Sequence, residues 1–245
     1  YGAGLRLLIA QDVTQLRKME QMRKDFVANV SHELRTPLTV LKGYLETLEE
    51  LDEPLHPLLA HSLHEMHDQT ERMQYLVDDL LLLSNLETQP KKTQCVDIPK
   101  LLNKICKESE SLNDSGGRVE LNLESNVHLY GDEQELRSAF SNLLGNALKY
   151  SPMESVVKLC WRETQKNLIL DVVDQGEGIS ETEIPRITER FYRVDVKRSN
   201  KVAGTGLGLA IVKHVLLRHD AQLVITSEPN KGSTFSCHFP IGKKC

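Results

Sequence analysis

The sequence lacks several features that would identify a membrane span, a nucleic-acid binder or a metal site. Apolar runs stay short, as from Leu80 to Leu83, whereas a helical span needs roughly 18 such residues. The net charge of -5 and the pI near 6.0 argue against a nucleic-acid partner. The five cysteines show no Cys-x-x-Cys spacing, so we expect reduced thiols of a cytoplasmic protein and neither a disulfide framework nor a zinc site. They are Cys95, Cys106, Cys160, Cys237 and Cys245.

An initiating methionine is also missing, and we therefore expect a fragment of a longer protein that could carry membrane segments upstream. The apolar residues near the start of the chain, from Leu5 to Ala10, resemble the last strand of a preceding domain. A frayed tail is the alternative.

The most informative stretch is residues 26–38, where His32 is followed directly by Glu33. Apolar residues from Met22 to Leu48 recur every three or four positions, which indicates one face of a helix. His32 lies two residues beyond Val30, a member of that stripe, and therefore roughly 200° around the helix from it. We expect His32 on the solvent-exposed face. There a neutral imidazole can attack an electrophile while Glu33 takes its proton. The alternative is an ordinary surface histidine, with Thr36 and Pro37 opening a separate helix.

Two long helices are predicted in the first third of the chain. The first runs from about residue 14 to 50, and two prolines between residues 52 and 57 then force a turn. A second apolar stripe extends from Leu59 to Leu80. Long helices joined by a short loop form an antiparallel hairpin, and two hairpins pair into a four-helix bundle, so a homodimer is expected. The histidines of the second helix are assigned to its solvated face: His61, His64 and His67.

A polar linker at residues 89–93 then separates the helices from a region in which helices and strands alternate, which predicts an α/β layered domain. Helices are expected at about 98–110, 132–150 and 206–219. Strands are expected at 119–123, 127–130, 156–162, 168–174, 223–226 and 234–239, with a loop at about 175–205.

Three short stretches of this region suit a nucleotide with Mg²⁺. Asn142 and Asn146 share one face of a helix and offer the hard oxygens that Mg²⁺ prefers, with Lys149 beyond them, although an ordinary polar face is the alternative. Asp174 follows an apolar strand and can accept a hydrogen bond from an adenine amine, with Gly176 and Gly178 allowing close approach. The run from Gly204 to Leu209 lies at the start of a predicted helix, where backbone N–H groups can bind phosphates.

A further stretch, Glu189-Arg190-Phe191-Tyr192-Arg193, places an aromatic pair between arginines. In order, the stretches around His32 and at residues 142–150, 174–179, 189–193 and 204–209 resemble the H, N, G1, F and G2 boxes of sensor histidine kinases. The likeness extends over about residues 14–240, and residues 26–45 and 188–199 are similar in particular to the phosphate-regulon sensor kinases of proteobacteria. It implies a PAS-like end at 1–13, a dimerisation and phosphotransfer domain at 14–88, a linker at 89–94 and an ATP-binding domain at 95–245. That last domain would be a two-layer α/β sandwich of the kind found in Hsp90, gyrase and MutL.

The same resemblance assigns roles to individual residues. His32 would be the phosphoacceptor, Glu33 its acid/base partner and Thr36 the residue that orients water during dephosphorylation of a partner regulator. Asn146 would ligate Mg²⁺ and Asp174 would read adenine. The other residues expected at the ATP site are Asn142, Lys149, Tyr150, Gly176, Gly178, Ile179, Arg193, Gly204, Thr205, Gly206, Leu207, Gly208 and Thr234.

The implied function is ATP-dependent phosphorylation of His32, transfer to an aspartate of a response regulator, and dephosphorylation of that regulator in phosphate-starvation signalling. This fragment would be the cytoplasmic part of an inner-membrane sensor kinase. Two other hypotheses are an ATPase that uses the same fold as a conformational clamp and a dimerisation scaffold that binds no nucleotide.

Overall fold

A computed structural model describes residues 30, 33–46, 57–112, 118–194 and 205–245. The expectations for the N-terminal strand, for the turn at residues 52–56 and for two site residues, His32 and Gly204, lie outside the described residues. The chain divides into two compact units, Tyr1–Met73 and Gln74–Cys245. The predicted boundary at the 89–94 linker stays a prediction.

In the first unit, two helices form the predicted antiparallel hairpin. Helix α1 covers residues 33–46, and helix α2 covers Pro57–Thr88. Glu33, the first residue of the described range 33–46, lies 3.4 Å from Arg72 in the middle of α2. Tyr44, near the last residue of that range, packs edge-on against His61 near the start of α2. The residue number of the contact partner on α2 falls as the residue number on α1 rises, so the two helices are antiparallel.

Helix α1 passes through Pro37, which is buried. The alternative in which Thr36 and Pro37 open a separate helix is therefore wrong, because residues 33–46 form one continuous helix. Because Pro37 has no N–H, it cannot donate the helical hydrogen bond to the carbonyl of Glu33, one turn earlier. The three histidines of α2 are exposed, as expected.

The second unit is built on a five-stranded sheet with the order β2-β4-β5-β7-β6. Strand β2 pairs in parallel with β4, and the other neighbours are antiparallel. A smaller sheet joins β1 to β3. The strands are β1 (Gln94–Val96), β2 (Arg118–Leu123), β3 (Leu129–Gly131), β4 (Val156–Glu163), β5 (Asn167–Val173), β6 (Gln222–Glu228) and β7 (Gly232–Pro240), and the further helices are α3 (Ile98–Leu112), α4 (Glu133–Tyr150) and α5 (Gly208–Arg218).

Capping and burial explain why the helices of this unit begin where they do. Asp97 accepts the N–H of Lys100 at the start of α3, and Asp132 caps α4 by accepting two backbone N–H groups. The three helices bury apolar side chains against one face of the sheet. Fully buried members of this core include Leu102, Phe140, Leu143, Trp161, Leu170, Val212 and Phe239. The prediction of a helical hairpin followed by a two-layer α/β domain is confirmed.

The expectation that all five cysteines are free thiols is wrong for two of them. Cys95 and Cys245 form a disulfide with a Cα–Cα distance of 5.9 Å. Cys95 lies in β1, which pairs with β3, and Leu129 of β3 also bridges to Lys244. The two cysteines therefore meet beside one strand although they are 150 residues apart in sequence. No local pattern predicts the three-residue strand β1 on which this meeting depends.

Several apolar side chains of the hairpin helices remain exposed in the single chain. Leu38 and Leu45 of α1 are 58% and 49% exposed, and Leu63 of α2 is 53% exposed. All three belong to the apolar stripes of the sequence. None of the helices within the described ranges is both long and apolar enough to cross a bilayer.

Candidate functional site

Asp174 lies directly after the central strand β5 and is buried. Its Oδ1 accepts the N–H of Gly176 over 2.8 Å and the N–H of Ser233 over 3.1 Å. Burial raises the pKa of Asp174, and the hydrogen bonds from Gly176 and Ser233 oppose that rise. The carboxylate is thus held in one orientation at the end of the strand, as a reader of a purine amine requires.

The glycines after Asp174 are positions where a side chain does not fit. A β-carbon on Gly176 would lie 2.5 Å from the carbonyl oxygen of Tyr150, at the end of α4. A β-carbon on Gly178 would lie 2.1 Å from the carbonyl oxygen of Glu228, and its φ of +67° also favours glycine. The loop after β5 is therefore packed directly against the backbone of α4 and of the turn after β6.

Helix α5 begins against the asparagine face of α4. The amide nitrogen of Asn142 donates to the carbonyl of Ser138 over 3.0 Å, and a β-carbon on Gly208 would lie 2.4 Å from Asn142 Oδ1. The amide oxygen therefore faces the first turn of α5, where backbone N–H groups have no helical acceptor. The structure thus brings together the N and G2 boxes.

The remaining predicted residues of α4 lie nearer its C-terminal end. Asn146 and Lys149 are half-buried, and Tyr150 is half-exposed. The Lys149 ammonium lies 5.1 Å from the centroid of the Tyr150 ring, within cation–π range. Polar oxygen, a cation and an aromatic ring therefore follow one another along this end of the helix.

The segments on either side of residues 195–204 meet at Phe191 and Gly206. The N–H of Phe191 donates to the Gly206 carbonyl over 2.9 Å, and both residues have positive φ values, 63° and 71°. A β-carbon on Gly206 would lie 2.8 Å from the Phe191 Cα. The two described segments are therefore joined by a backbone hydrogen bond, which brings the F and G2 boxes together.

Helix α2 also contacts both of these segments within the second unit. The Thr205 hydroxyl donates to Asp79 Oδ2 over 2.9 Å and accepts the N–H of Leu207 over 3.3 Å. Burial raises the pKa of Asp79, and the hydrogen bond from Thr205 opposes it. Arg190 pairs with Glu87. Two acidic side chains of α2 thus bind residues of the F and G2 boxes, which the sequence did not predict.

Ser233 and Ser227 are site residues that sequence reasoning missed. The Ser227 hydroxyl accepts the N–H of Ile179 over 2.8 Å and lies 2.9 Å from the Ser233 hydroxyl. A β-carbon on Gly232 would lie 2.1 Å from the carbonyl oxygen of Asp174. The run from Gly232 to Phe235 carries the sequence signal for this part of the site, although the resemblance singles out only Thr234 from it. Thr234 pairs with Val173, one residue before Asp174.

The other predicted residues divide between the site and its surroundings. Leu207 is fully buried beneath the start of α5, and Arg193 is half-buried near the end of the described segment. Glu33 and Thr36 lie in α1, in the first unit. Glu33 is paired with Arg72, and Thr36 is exposed.

Comparison with known proteins agrees with this geometry. The family profile described as histidine kinase-, DNA gyrase B-, and HSP90-like ATPase matches residues 131–243, and the profile of the His Kinase A (phospho-acceptor) domain matches residues 22–89. The chain is 50% identical over 242 residues to the phosphate regulon sensor protein PhoR of Pseudomonas aeruginosa, which covers 98% of this chain and 55% of that protein.

The chain belongs to the histidine kinases. The PhoR protein of Haemophilus influenzae is 40% identical over 98% of this chain and 56% of its own length. The solved structure of the Acinetobacter baumannii histidine kinase AdeS matches with a TM-score of 0.68 and 27% identity, over 86% of this chain and 98% of that one. A structure described as histidine kinase ThkA in complex with response regulator protein TrrA shares the fold, with a TM-score of 0.72 at 19% identity.

These comparisons confirm the predicted family and the ATP-binding character of the C-terminal domain. His32 lies within the part matched by the phospho-acceptor profile. The chain spans about half the length of the curated relatives it matches.

Proposed function

We propose that this kinase domain pair transfers the γ-phosphoryl group of ATP to His32. The observation that carries the proposal is the orientation of Asp174, which two backbone N–H groups hold at the end of β5. In a domain of the ATP-binding family, this carboxylate is the group suited to bind the adenine amine. The first turn of α5 then offers backbone N–H groups to the phosphates.

The residues of α4 fit a magnesium ion bound together with ATP. Asn142 and Asn146 stand four residues apart on one helix face and are half-buried, and the amide oxygen of Asn142 faces α5. Asn146 would hold the ion, since neutral amide oxygens are hard ligands and Mg²⁺ retains waters and phosphate oxygens beside them. A bound Mg²⁺ would neutralise phosphate charge. Lys149 adds a further positive charge on the same helix.

At the phosphoacceptor, the imidazole of His32 attacks the γ-phosphorus with one nitrogen, and Glu33 accepts the proton from the other. Arg72, 3.4 Å from Glu33, holds that carboxylate in place. The catalytic contribution of the protein is then mostly positioning and charge neutralisation.

The phosphoryl group then passes from His32 to an aspartate of a response regulator docked against the hairpin near His32. Thr36, one helical turn after His32, orients water when the same kinase removes the phosphoryl group from the regulator. The names of the two PhoR relatives support phosphate-starvation signalling as the setting. This chain spans about half the length of these relatives. We propose that it is the cytoplasmic part of a larger inner-membrane sensor kinase, with residues 1–13 ending a PAS-like domain.

The exposed leucines of the hairpin support a homodimer. Leu38, Leu45 and Leu63 are about half exposed in the single chain although they belong to apolar stripes. Pairing with a second hairpin would cover them in a four-helix bundle, and each fully buried leucine is worth roughly 1.5–3 kcal/mol.

The test is incorporation of label from γ-labelled ATP into wild-type protein and into a His32→Gln variant. Wild type should retain label that is stable in alkali and lost in acid, and His32→Gln should retain none. His67→Gln, which alters an exposed histidine of α2, is the matched control and should label like wild type. Label retained by His32→Gln would refute the assignment of His32. ATP hydrolysis without any retained label would instead favour a conformational clamp.

A further inference from the structure

The disulfide between Cys95 and Cys245 lies at the surface. Both residues are exposed, whereas Cys106 and Cys237 are buried and Cys160 is half-buried. Small thiols can therefore reach the bond directly. It is also placed where the chain enters and leaves the C-terminal domain, because Cys95 lies in the first strand of that domain and Cys245 follows its last strand.

The imidazole ring of His128 lies between the sulfur of Cys95 and the carboxylate of Asp97. The Sγ of Cys95 lies 3.9 Å from Nδ1 of His128, and Nε2 of His128 lies 3.9 Å from Oδ1 of Asp97. A carboxylate beside Nε2 favours the neutral tautomer of His128 that carries the proton on Nε2. The lone pair of Nδ1 is then directed toward the sulfur of Cys95. An imidazole in that position can accept the thiol proton and then stabilise the thiolate with its positive charge.

We propose that Cys95 and Cys245 form a reversible thiol–disulfide pair in which His128, oriented by Asp97, activates the Cys95 sulfur. The reagent class is a low-molecular-weight disulfide and its thiol, such as oxidised and reduced glutathione. This inference does not depend on the kinase chemistry, because it concerns neither the ATP site nor His32.

In the oxidising direction, His128 takes the proton of Cys95, and the resulting thiolate attacks one sulfur of the small disulfide. One small thiolate leaves, and a mixed disulfide forms on Cys95. The Cys245 thiolate then attacks the Cys95 sulfur and expels the second small thiolate. Two electrons pass from the protein to the reagent, and the two thiol protons end on the two released thiols. Reduction reverses both steps. A small thiolate attacks the Cys95 sulfur and expels the Cys245 thiolate, and a second small thiolate then attacks the outer sulfur of the mixed disulfide and expels the Cys95 thiolate.

Closing the bond stabilises the C-terminal domain, because it joins two points 150 residues apart and so restricts the unfolded chain. Non-covalent contacts also hold the two cysteines near each other. Strand β1 pairs with β3, and the N–H of Cys245 donates to the His128 carbonyl over 3.2 Å. Reduction therefore removes a cross-link but leaves the local pairing in place.

The first experiment equilibrates the chain in glutathione buffers of increasing oxidised fraction and counts free thiols by alkylation and mass spectrometry. The expected result is a two-electron transition confined to Cys95 and Cys245. The closed form should melt about 10 °C above the open form. Cys95→Ser should melt at one temperature in all buffers, and Cys160→Ser, the control, should respond like wild type. A bond that stays closed in excess reduced glutathione, or that never closes in oxidised glutathione, would overturn the proposal.

The second experiment isolates the role of His128. The reduced chain is treated with iodoacetamide at pH 7, and alkylation of each cysteine is followed by peptide mass. His128→Gln should slow alkylation of Cys95 roughly tenfold, since fewer Cys95 thiols are then ionised. Asp97→Asn should slow it less, and it keeps the cap of α3, because asparagine caps helices as well as aspartate does. Cys160 in the same sample is the internal control. An unchanged Cys95 rate in His128→Gln would remove His128 from the mechanism.

Discussion

A β-carbon on Gly208 would stand 2.4 Å from the amide oxygen of Asn142, so a side chain at residue 208 would force that amide group to move. The obstruction is a side-chain atom of α4 and not the backbone conformation of Gly208, whose φ is not positive. The N and G2 boxes are therefore sterically coupled, and this coupling can be measured without nucleotide.

Gly208→Ala should destabilise the chain by about 1–3 kcal/mol, because the added methyl group forces Asn142 away from its bond to Ser138. Asn142→Ala removes the obstruction, so the double variant should recover most of that loss. The measurement is the free energy of unfolding in urea for all four proteins, arranged as a double-mutant cycle. Additive losses would show that the two residues do not interact.

Gly145→Ala is the matched control on α4. Nothing lies within 4 Å of a β-carbon at Gly145. Alanine also favours the helix interior over glycine, so this variant should be more stable than wild type by about 0.5–1 kcal/mol.

Asp174→Asn should fold like wild type and bind ATP weakly. The asparagine oxygen can still accept the N–H groups of Gly176 and Ser233, but a charged acceptor for the adenine amine is lost. Such a hydrogen bond is worth roughly 1.5–3 kcal/mol, so the Kd should rise about tenfold to a hundredfold. Calorimetry with a non-hydrolysable ATP analogue measures the change.

Asp171→Asn is the comparison for Asp174. Asp171 lies within β5 and pairs with Arg162 over 2.8 Å, so its substitution should lower stability and leave the affinity for ATP unchanged. Equal affinity of wild type and Asp174→Asn would contradict the assignment of Asp174.

The residues that were predictable from sequence are those whose environment is local. Strand β4 alternates buried and more exposed residues, and strand β5 is a mostly apolar run; the predicted bounds of 156–162 and 168–174 differ from Val156–Glu163 and Asn167–Val173 by one residue at most. Asp174 was recognisable because it follows such a strand and precedes two glycines. Ser233, in contrast, contacts Asp174 from 59 residues away through its backbone N–H, which every residue except proline carries.

The disulfide and the role of His219 were unpredictable for the same reason. Cys245 reaches Cys95 only because β1, too short to show alternation, pairs with β3. His219 ends α5 and is fully buried, where its Nε2 accepts the N–H of Asp132 over 3.0 Å and its Nδ1 bonds the Val215 carbonyl over 2.8 Å. It thereby joins the end of α5 to the N-cap of α4, a partnership across 87 residues.

The burial of His219 predicts a loss of stability in mild acid. Desolvation lowers its pKa below the ordinary value of 6.5, and the bond to Val215 opposes this only in part. The unfolded chain therefore takes up a proton near pH 6.5 that the folded chain excludes, so stability is fully present above that pH and declines as the pH falls through the folded pKa. Urea unfolding of wild type and His219→Gln between pH 5 and 8 should show their difference shrinking toward acid. A difference independent of pH would contradict this account.

Thr36→Ala should separate the two activities proposed for the hairpin. Thr36 is exposed on α1, one helical turn after His32 in sequence, so the substitution should leave the helix intact, alanine being the stronger helix former. Autophosphorylation should persist because Thr36 takes no part in the attack on ATP. Dephosphorylation of a regulator should fall by about an order of magnitude or more, since the attacking water loses the hydroxyl that orients it. Thr39→Ala, which removes an exposed hydroxyl bonded to the Arg35 carbonyl, is the control on the same helix. Phosphoprotein gels of a labelled regulator give both rates, and equal loss of the two activities in Thr36→Ala would assign Thr36 to the structure of the hairpin and not to the water.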